Sequence, residues 1–537
     1  MSFFNSDTMW MDVFRIVVPA LLLFIWRRHE PRRPPGPQRY PLLGSLLQMP
    51  SSNLWERALE WRKEYGDLVY LENLGKPMLI INSYEVALEL LGNRSAKYSS
   101  RPHLVMASDL EGWDWILLTA PYGERLRKGR SFQHRFFNSR ETSNFLGAQL
   151  SEARRAVKNI LDKPDDYEEE ISRLLGGLVM MNVYGHRKDR LINLGVSAVK
   201  LIAETEQYFL PEFFPSLKYL PEWFPGTKFH QAAKDARKVS QALHHEAHDM
   251  TKKHVQEGSA KECMSAILLA ENTREDGSVL EEDEIRAAAA TLFIGGVHTT
   301  STAIMTFILG LLKNPEAQRL GQAEIDRVVG VDRLPTFDDK DNLPYVKAMC
   351  EEALRYGSVA PLGFPHFSTE DDVYQGYHIP AGTTVLANQW YSVFFFSPRW
   401  YCEHGKRRAM SYNPEVHEDP LTFRPERWLC QEDGKETDVI LPHNYSFGFG
   451  RRACVGQKWA EHLLFITAAT ILATCNIEKA IGKDGNPIEP NDQYESGFAR
   501  SLGASKCKIT PRSQKVASLL EASVFADFGA KDELEAC

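Results

Sequence analysis

Apolar residues recur along the chain in blocks whose spacing changes from two to between three and four. Leu68–Leu71 and Met78–Asn82 alternate on either side of Gly75 and predict two short paired strands. From there to about residue 356 helical spacing dominates. Helices are predicted near Tyr84–Leu91, Tyr122–Phe136, Ala148–Leu161 and Gln231–Val255. The longest pattern runs from Glu281 to Asn314 and stops before Pro315, with acids at its start and Lys313 near its end. A helix of that length would span about 51 Å, enough to cross a domain. Its middle is apolar on most sides, which predicts a buried spine. The chain holds no internal repeat and no low-complexity tract.

A separate apolar block covers Met9–Trp26. Asp12 and Arg15 interrupt it, so the unbroken run is only Ile16–Trp26, about 16 Å of helix. With the preceding turns and snorkelling polar side chains a single span is feasible. Arg27, Arg28, Arg32 and Arg33 follow it and no small-residue cleavage site does. That order favours an uncleaved anchor over a signal peptide or an interfacial helix, with the rest of the chain on the cytosolic side. Residues 1–30 are therefore read as anchor and basic flank, and 31–38, with Pro34-Pro35-Gly36-Pro37, as a stiff hinge. A body from 39 to 511 and a tail from 512 to 537 complete the division. Phe209–Pro215, continuing through Tyr219, Leu220, Trp223 and Phe224, interleaves aromatics with prolines. It reads either as a second membrane contact or as a buried irregular connection. Lys531-Asp532-Glu533-Leu534 imitates a retrieval signal, but three residues follow it, and Cys537 is not placed for prenylation.

Composition narrows the function classes. With 43% hydrophobic and 25% charged residues the chain is neither mainly disordered nor a many-span membrane protein. The 63 Lys and Arg against 71 Asp and Glu leave a net charge of −8, so no bulk basic field exists for nucleic acid. Eight cysteines without a C-x-x-C pair indicate neither a zinc site nor a disulfide framework, and agree with reduced thiols facing the cytosol.

Two segments carry candidate chemistry. Gly295-Gly296-Val297-His298-Thr299-Thr300 places two glycines inside the spine, at about 1 kcal/mol each relative to alanine. They serve either close helix packing or a local opening toward a ligand. The second segment is Phe447-Gly448-Phe449-Gly450-Arg451-Arg452-Ala453-Cys454-Val455-Gly456, entering an apolar helix at Gln457. Glycines permit a tight backbone approach, and helix N-terminal amides with two arginines favour a thiolate. Such a thiolate suits a metal or a nucleophilic attack. The loop contains no histidine to act as a base for the latter.

This loop resembles the haem-binding signature of the cytochrome P-450 family, F-x-x-G-x-R-x-C-x-G, at every fixed position: Phe447, Gly450, Arg452, Cys454 and Gly456. The resemblance covers about Pro34 to Pro511 and is closest to fungal microsomal members. It implies a mainly α fold with small β-sheets (α+β), in one large catalytic domain with a long central helix. It further implies haem b, with Cys454 as the axial thiolate and Arg452 on a propionate; a thiolate ligand promotes O–O cleavage. Glu352-Ala353-Leu354-Arg355 matches E-x-x-R, an i,i+3 pair whose partner would be Arg427. His366 resembles the strand imidazole that meets a propionate. Two positions depart from the family pattern. Leu126 stands where W-x-x-x-R has tryptophan, although Arg130 keeps the propionate position. His298 replaces the acid of A-G-x-D/E-T-T, while Gly295, Gly296, Thr299 and Thr300 fit.

The activity implied is insertion of one oxygen atom of O2 into a hydrophobic molecule, terpenoid, steroid-like or polycyclic aromatic, as in fungal secondary metabolism or xenobiotic oxidation. Electrons would come from NADPH–cytochrome P-450 reductase, with cytochrome b5 a further candidate partner, at the endoplasmic reticulum membrane. Thr299, His298 and Thr300 are the expected catalytic group, His298 at the proton-delivery position; an imidazole titrates near about 6.5 unless perturbed. Arg125, Arg127, Lys128 and Lys458 are candidates for a basic docking face, or for a merely solvated charge cluster. Motif offsets put Met106, Leu110, Phe209, Phe293, Val297, Val359, Leu362 and Phe498 among the substrate-lining residues. The alternatives are a haem-binding protein without turnover and a reductase-independent haem-thiolate isomerase or dehydratase.

One stretch does not fit the family pattern. The run Val385–Trp390 normally continues directly into the equivalent of Ala409-Met410-Ser411-Tyr412-Asn413-Pro414-Glu415, which leaves Tyr391–Arg408 as an 18-residue excess containing Val393-Phe394-Phe395-Phe396 and Cys402. An exposed run of that kind favours aggregation. The codons of Trp390 and Tyr391 join as G-T-A-pyrimidine, an intron start, and an AGG codon for Arg408 would end it in frame. Tyr391–Arg408 is therefore read as a retained intron, a genuine loop insertion being the alternative.

Overall fold

The computed structural model describes residues 31–137, 145–204, 208–390, 419–429, 440–495 and 499–528. Helices form its body, and the short strands of the described residues make one four-stranded and three two-stranded sheets. The expected anchor, Tyr391–Arg408, Phe498 and the end of the tail lie outside the described residues.

The spine is the helix Glu282–Lys313, with 32 residues and a length of about 48 Å. It stops at Asn314 because that side chain turns to the next helix, Pro315–Val328, accepting the Ala317 amide at 3.2 Å. Four consecutive alanines, Ala287–Ala290, are wholly buried and let neighbouring helices approach closely. Around the spine pack Glu124–Phe137, Tyr167–Tyr184, Asp189–Glu204, Pro344–Gly357 and Gln457–Thr474. Among the described residues this is the one helix long and apolar enough to cross a membrane, but 67% of its apolar window is buried in the protein. It is a core helix.

The alternating segments form a hairpin, Leu68–Asn73 against Lys76–Ile81, in the register Leu68↔Ile81. Leu74 and Gly75 both take positive φ at its turn. Lys76–Ile81 then runs parallel to Thr384–Ala387, which pairs antiparallel with His366–Phe367. This sheet brings His366, distant in sequence, into the body of the protein.

The segment 31–38 is strapped to the strands and does not hang free as a hinge. Pro35 O accepts the Tyr70 amide at 2.9 Å and Arg32 O accepts the His378 amide at 2.7 Å. A Cβ on Gly36 would lie 1.9 Å from Tyr70 O, so only glycine permits this contact. The aromatic segment after Phe209 is not buried. Phe214, Tyr219, Trp223 and Phe224 are all exposed, Trp223 by 81%. Lys76 of the hairpin turn donates to Glu212 O and lies over the Phe213 ring, which ties this segment to the sheet.

Gly310 tests how tightly the spine is held. Alanine would gain about 1 kcal/mol of helix propensity, but its Cβ would stand 2.5 Å from the Phe423 ring. Overpacking of that kind costs about 1–3 kcal/mol. Gly310→Ala is expected to lower the urea midpoint; a raised midpoint would mean that the ring yields freely.

Candidate functional site

The cysteine loop is pinned at both ends. Gly450 has φ +55°, and a Cβ there would lie 2.3 Å from Leu91 O, so the loop can rest on the Leu88–Asn93 turn only with glycine. One tight turn, Gly450–Arg452, leads to Cys454, whose amide donates to Phe447 O at 2.7 Å. The Gly456 amide donates to the thiol, and Arg130 is the cation that acts on it; both favour thiolate. The surface that Cys454 leaves open forms part of the wall of a polar recess of about 570 Å³, also lined by Arg130, His134, His443, Gln457 and Glu461. A bound cation is what would displace the thiol proton in this setting. Arg451 lines the same recess and donates to Tyr122 Oη at 3.0 Å.

Cations gather behind the loop. Arg452 is buried and donates to Ser99 O, Leu117 O and Ala120 O. Arg130 donates to Ala453 O at 2.7 Å and meets His134 Nε2 at 3.2 Å. Arg101, which motif matching missed, is buried on Leu118 O, Phe364 O and Pro365 O. His366 is buried with Nδ1 2.9 Å from Tyr98 O. Burial and mutual repulsion lower the pKa of Arg101 and Arg452, the latter to about 10, and of His366; burial lowers that of Arg130. Among the described residues no carboxylate acts on these four, and Cys454 is the anionic partner acting on Arg130. Buried cations without an anion are costly, so a dianionic ligand fits here, and the two propionates of haem have that charge. The sequence signal for Arg101 was slight: an arginine before Pro102, with no acid nearby.

The two glycines of the spine differ. A Cβ on Gly295 would meet nothing within 4 Å, whereas one on Gly296 would touch Val179 at 3.0 Å. Gly295 is the opening and Gly296 the packing contact. Thr299, one turn on, faces the same side and donates to Gly295 O at 2.8 Å. Phe293, Val297 and Thr300 do not share that side. At 100° per residue they fall opposite Gly295 and are buried in the core, with Phe293 edge-on to Tyr184. They pack among the core residues. His298 is largely buried; burial lowers its pKa and Glu495 opposes that shift.

The remaining lining candidates scatter. Met106 and Leu110 join a small cluster with Phe229 and Ala233, Leu362 packs beneath the sheet, and Phe209 is half exposed against Phe213. Val359 O accepts the Arg500 amide at 2.7 Å. Of the basic candidates, Arg127 and Lys458 are exposed, Arg125 donates to Asp114 O, and Lys128 pairs with Glu281 at 2.7 Å.

Below the loop, Glu352 and Arg355 are fully buried and doubly bonded at 2.7 and 2.8 Å. Arg427 Nε, Trp428 Nε1 and the Arg424 amide also donate to the Glu352 carboxylate. Arg355 reaches Pro420 O and Thr422 O. One carboxylate thus fixes the segment 419–429 to the helix Pro344–Gly357.

A cysteine on a pinned loop with arginines beside it is an arrangement suited to a thiolate ligand. The family model described as Cytochrome P450 matches residues 34–393 and 407–501. A cytochrome P450 monooxygenase of Armillaria gallica is 34% identical over 94% of this chain and 98% of its own. One from Coprinopsis cinerea is 34% identical over 92% of each chain, and one from Ampulloclitocybe clavipes 33% identical over 95% and 93%. The chain belongs to the cytochrome P450 family and is a monooxygenase, an oxidoreductase, of fungal type.

Glu352→Gln removes the charge that holds two buried arginines. Breaking a buried ion pair costs about 3–5 kcal/mol, so a stability loss of that order is expected by urea unfolding, with reduced haem retention. A loss under about 1 kcal/mol, the scale of an exposed pair, would contradict the network's role.

Proposed function

We propose that Cys454 is the axial ligand of haem b and that Arg101, Arg130, Arg452 and His366 hold its propionates. The observation that carries this reading is the cluster of Arg101, Arg130 and Arg452 beside a loop-pinned thiol, with no carboxylate among the described residues acting on them. Bound haem supplies activation of O2 and transfer of one oxygen atom to the substrate, the other leaving as water. The protein's share is positioning. Phe447, Gly450 and Gly456 shape the loop, and the Gly456 amide together with Arg130 favours thiolate over thiol. Gly295 would leave room for the cofactor on its side of the spine, and Thr299, on the same side, would hold a proton at its hydroxyl. Glu352, Arg355 and Arg427 hold the underlying frame.

The substrate is proposed to be a hydrophobic small molecule of terpenoid, steroid-like or polycyclic type. Electrons come from NADPH–cytochrome P-450 reductase docking over Arg125, Arg127 and Lys458, with cytochrome b5 as a second donor. The endoplasmic reticulum membrane is the proposed location, held by the 1–30 anchor and by the exposed aromatics Phe214 to Phe224. A strapped 31–38 segment would fix the angle between the two. The family match breaks between 393 and 407, which supports reading Tyr391–Arg408 as an excess in this chain, a retained intron by our proposal.

Three measurements test this. The reduced carbon-monoxide complex should give the thiolate-type Soret band, and Cys454→His should move it to the imidazole-ligated position; retention of the thiolate band in Cys454→Ala would refute the ligand. A microsomal substrate screen should yield products one oxygen heavier only when reductase is present. Deletion of Tyr391–Arg408 should raise haem content and soluble yield, whereas lower haem content, with mature transcripts that all retain those codons, would end the intron reading.

A further inference from the structure

The segment 98–101 runs through the arginine cluster and spends its polar groups there. His366 Nδ1 lies 2.9 Å from Tyr98 O, and Ser99 O accepts Arg452 Nε at 2.6 Å. Ser100 Oγ accepts the Tyr122 amide at 3.3 Å, and the Arg101 guanidinium donates to three carbonyls. The Ser99 hydroxyl is the exception. Ser99 is 1% exposed, and its Oγ is buried without a hydrogen-bond partner among the described residues. Buried hydroxyls are nearly always paired, so this one calls for an acceptor that the folded chain does not bring.

A serine side chain is short, so Ser99 Oγ stays close to the Ser99 carbonyl that Arg452 grips. The surroundings offer the hydroxyl little. Guanidinium groups have no lone pair for an O–H to use. Leu117 O, Leu118 O and Ala120 O already serve Arg452 and Arg101. On the helix Glu124–Phe137, Leu126 stands one turn before Arg130 on the same face, and this buried apolar side chain supplies no donor.

We infer that the Ser99 hydroxyl is a cofactor-positioning donor: it hydrogen-bonds a haem propionate that Arg101 and Arg452 also hold. The inference rests on the proposed function, which puts the propionates at this cluster. Three arginines already match the charge of two carboxylates, so a further cation would be in excess and costly to bury. A neutral hydroxyl adds a bond without adding charge. It also adds direction. A guanidinium attracts a carboxylate over a broad range of approach, whereas an O–H held by its own backbone favours one oxygen in one orientation. Ser99 thereby fixes how the propionate is turned, and with it the seat of the ring.

Two readings on the holoenzyme test the contact without turnover. Haem transfer to excess apomyoglobin measures retention, and the propionate bending band in the resonance Raman spectrum reports hydrogen bonding to the carboxylates. Ser99→Ala is expected to speed haem loss about tenfold or more, the low end for a hydrogen bond to a charged group, and to move the band to lower frequency. Ser99→Thr, which keeps the hydroxyl, should leave the band at its wild-type position. An unmoved band in Ser99→Ala would overturn the inference whatever the rate does, because a lost packing contact or a displaced water changes retention without touching the carboxylate. An equal shift in Ser99→Thr would overturn it too. If the wild type takes up no haem, or gives no thiolate-type Soret band, the underlying reading of the site fails instead.

Discussion

A helix of 32 residues buried on nearly every side, yet required to leave one place open, constrains most of this structure. Burial demands small side chains where other helices cross, which Ala287–Ala290, Gly296 and Gly310 provide. Openness demands that one turn present no side chain, which Gly295 provides. The same helix must therefore pack like a core element and act as a wall. Residues two positions apart have opposite duties, as Gly295 and Val297 illustrate.

Charge is arranged against ordinary stability. Arg101 and Arg452 are buried near one another with backbone carbonyls for company, a combination that a folded chain tolerates poorly by itself. Where burial of charge has no ligand to gain, the protein supplies its own anion: Glu352 takes Arg355 and Arg427 together with two further donors. The contrast between these two clusters separates a frame from a binding site. The first is complete without a ligand, and the second is not.

The same logic covers the elements that approach from the ends of the chain. The 31–38 strap and the hairpin of Tyr494–Glu495 and Ser501–Leu502 both lie on the body through backbone bonds, and both bring a distant stretch of sequence against a fixed surface. Local sequence gives little warning of either. Prolines make a stiff segment but do not say what it touches, and two-residue strands have no periodicity to read.

What the sequence determined by itself is local and periodic. The spine's extent was readable to within a residue at each end, because its apolar pattern is long and a proline stops it. The hairpin around Gly75 and the cysteine loop were readable because their residue types are dictated by backbone geometry. E-x-x-R showed a pair on one helix face, but its depth of burial, and its reach to Trp428, came from a segment about seventy residues away. Tertiary packing alone decided which side of the spine is open, sending Phe293, Val297 and Thr300 to the core; periodicity places residues around a helix without saying which direction is interior and which is cavity. Arg101 became part of the arginine cluster only when the sheet carried His366 beside it, and Tyr494 met Thr306 only when the hairpin of Tyr494–Glu495 and Ser501–Leu502 folded onto the spine. Those contacts depend on chain segments meeting across more than a hundred residues, and no local preference records where such meetings occur.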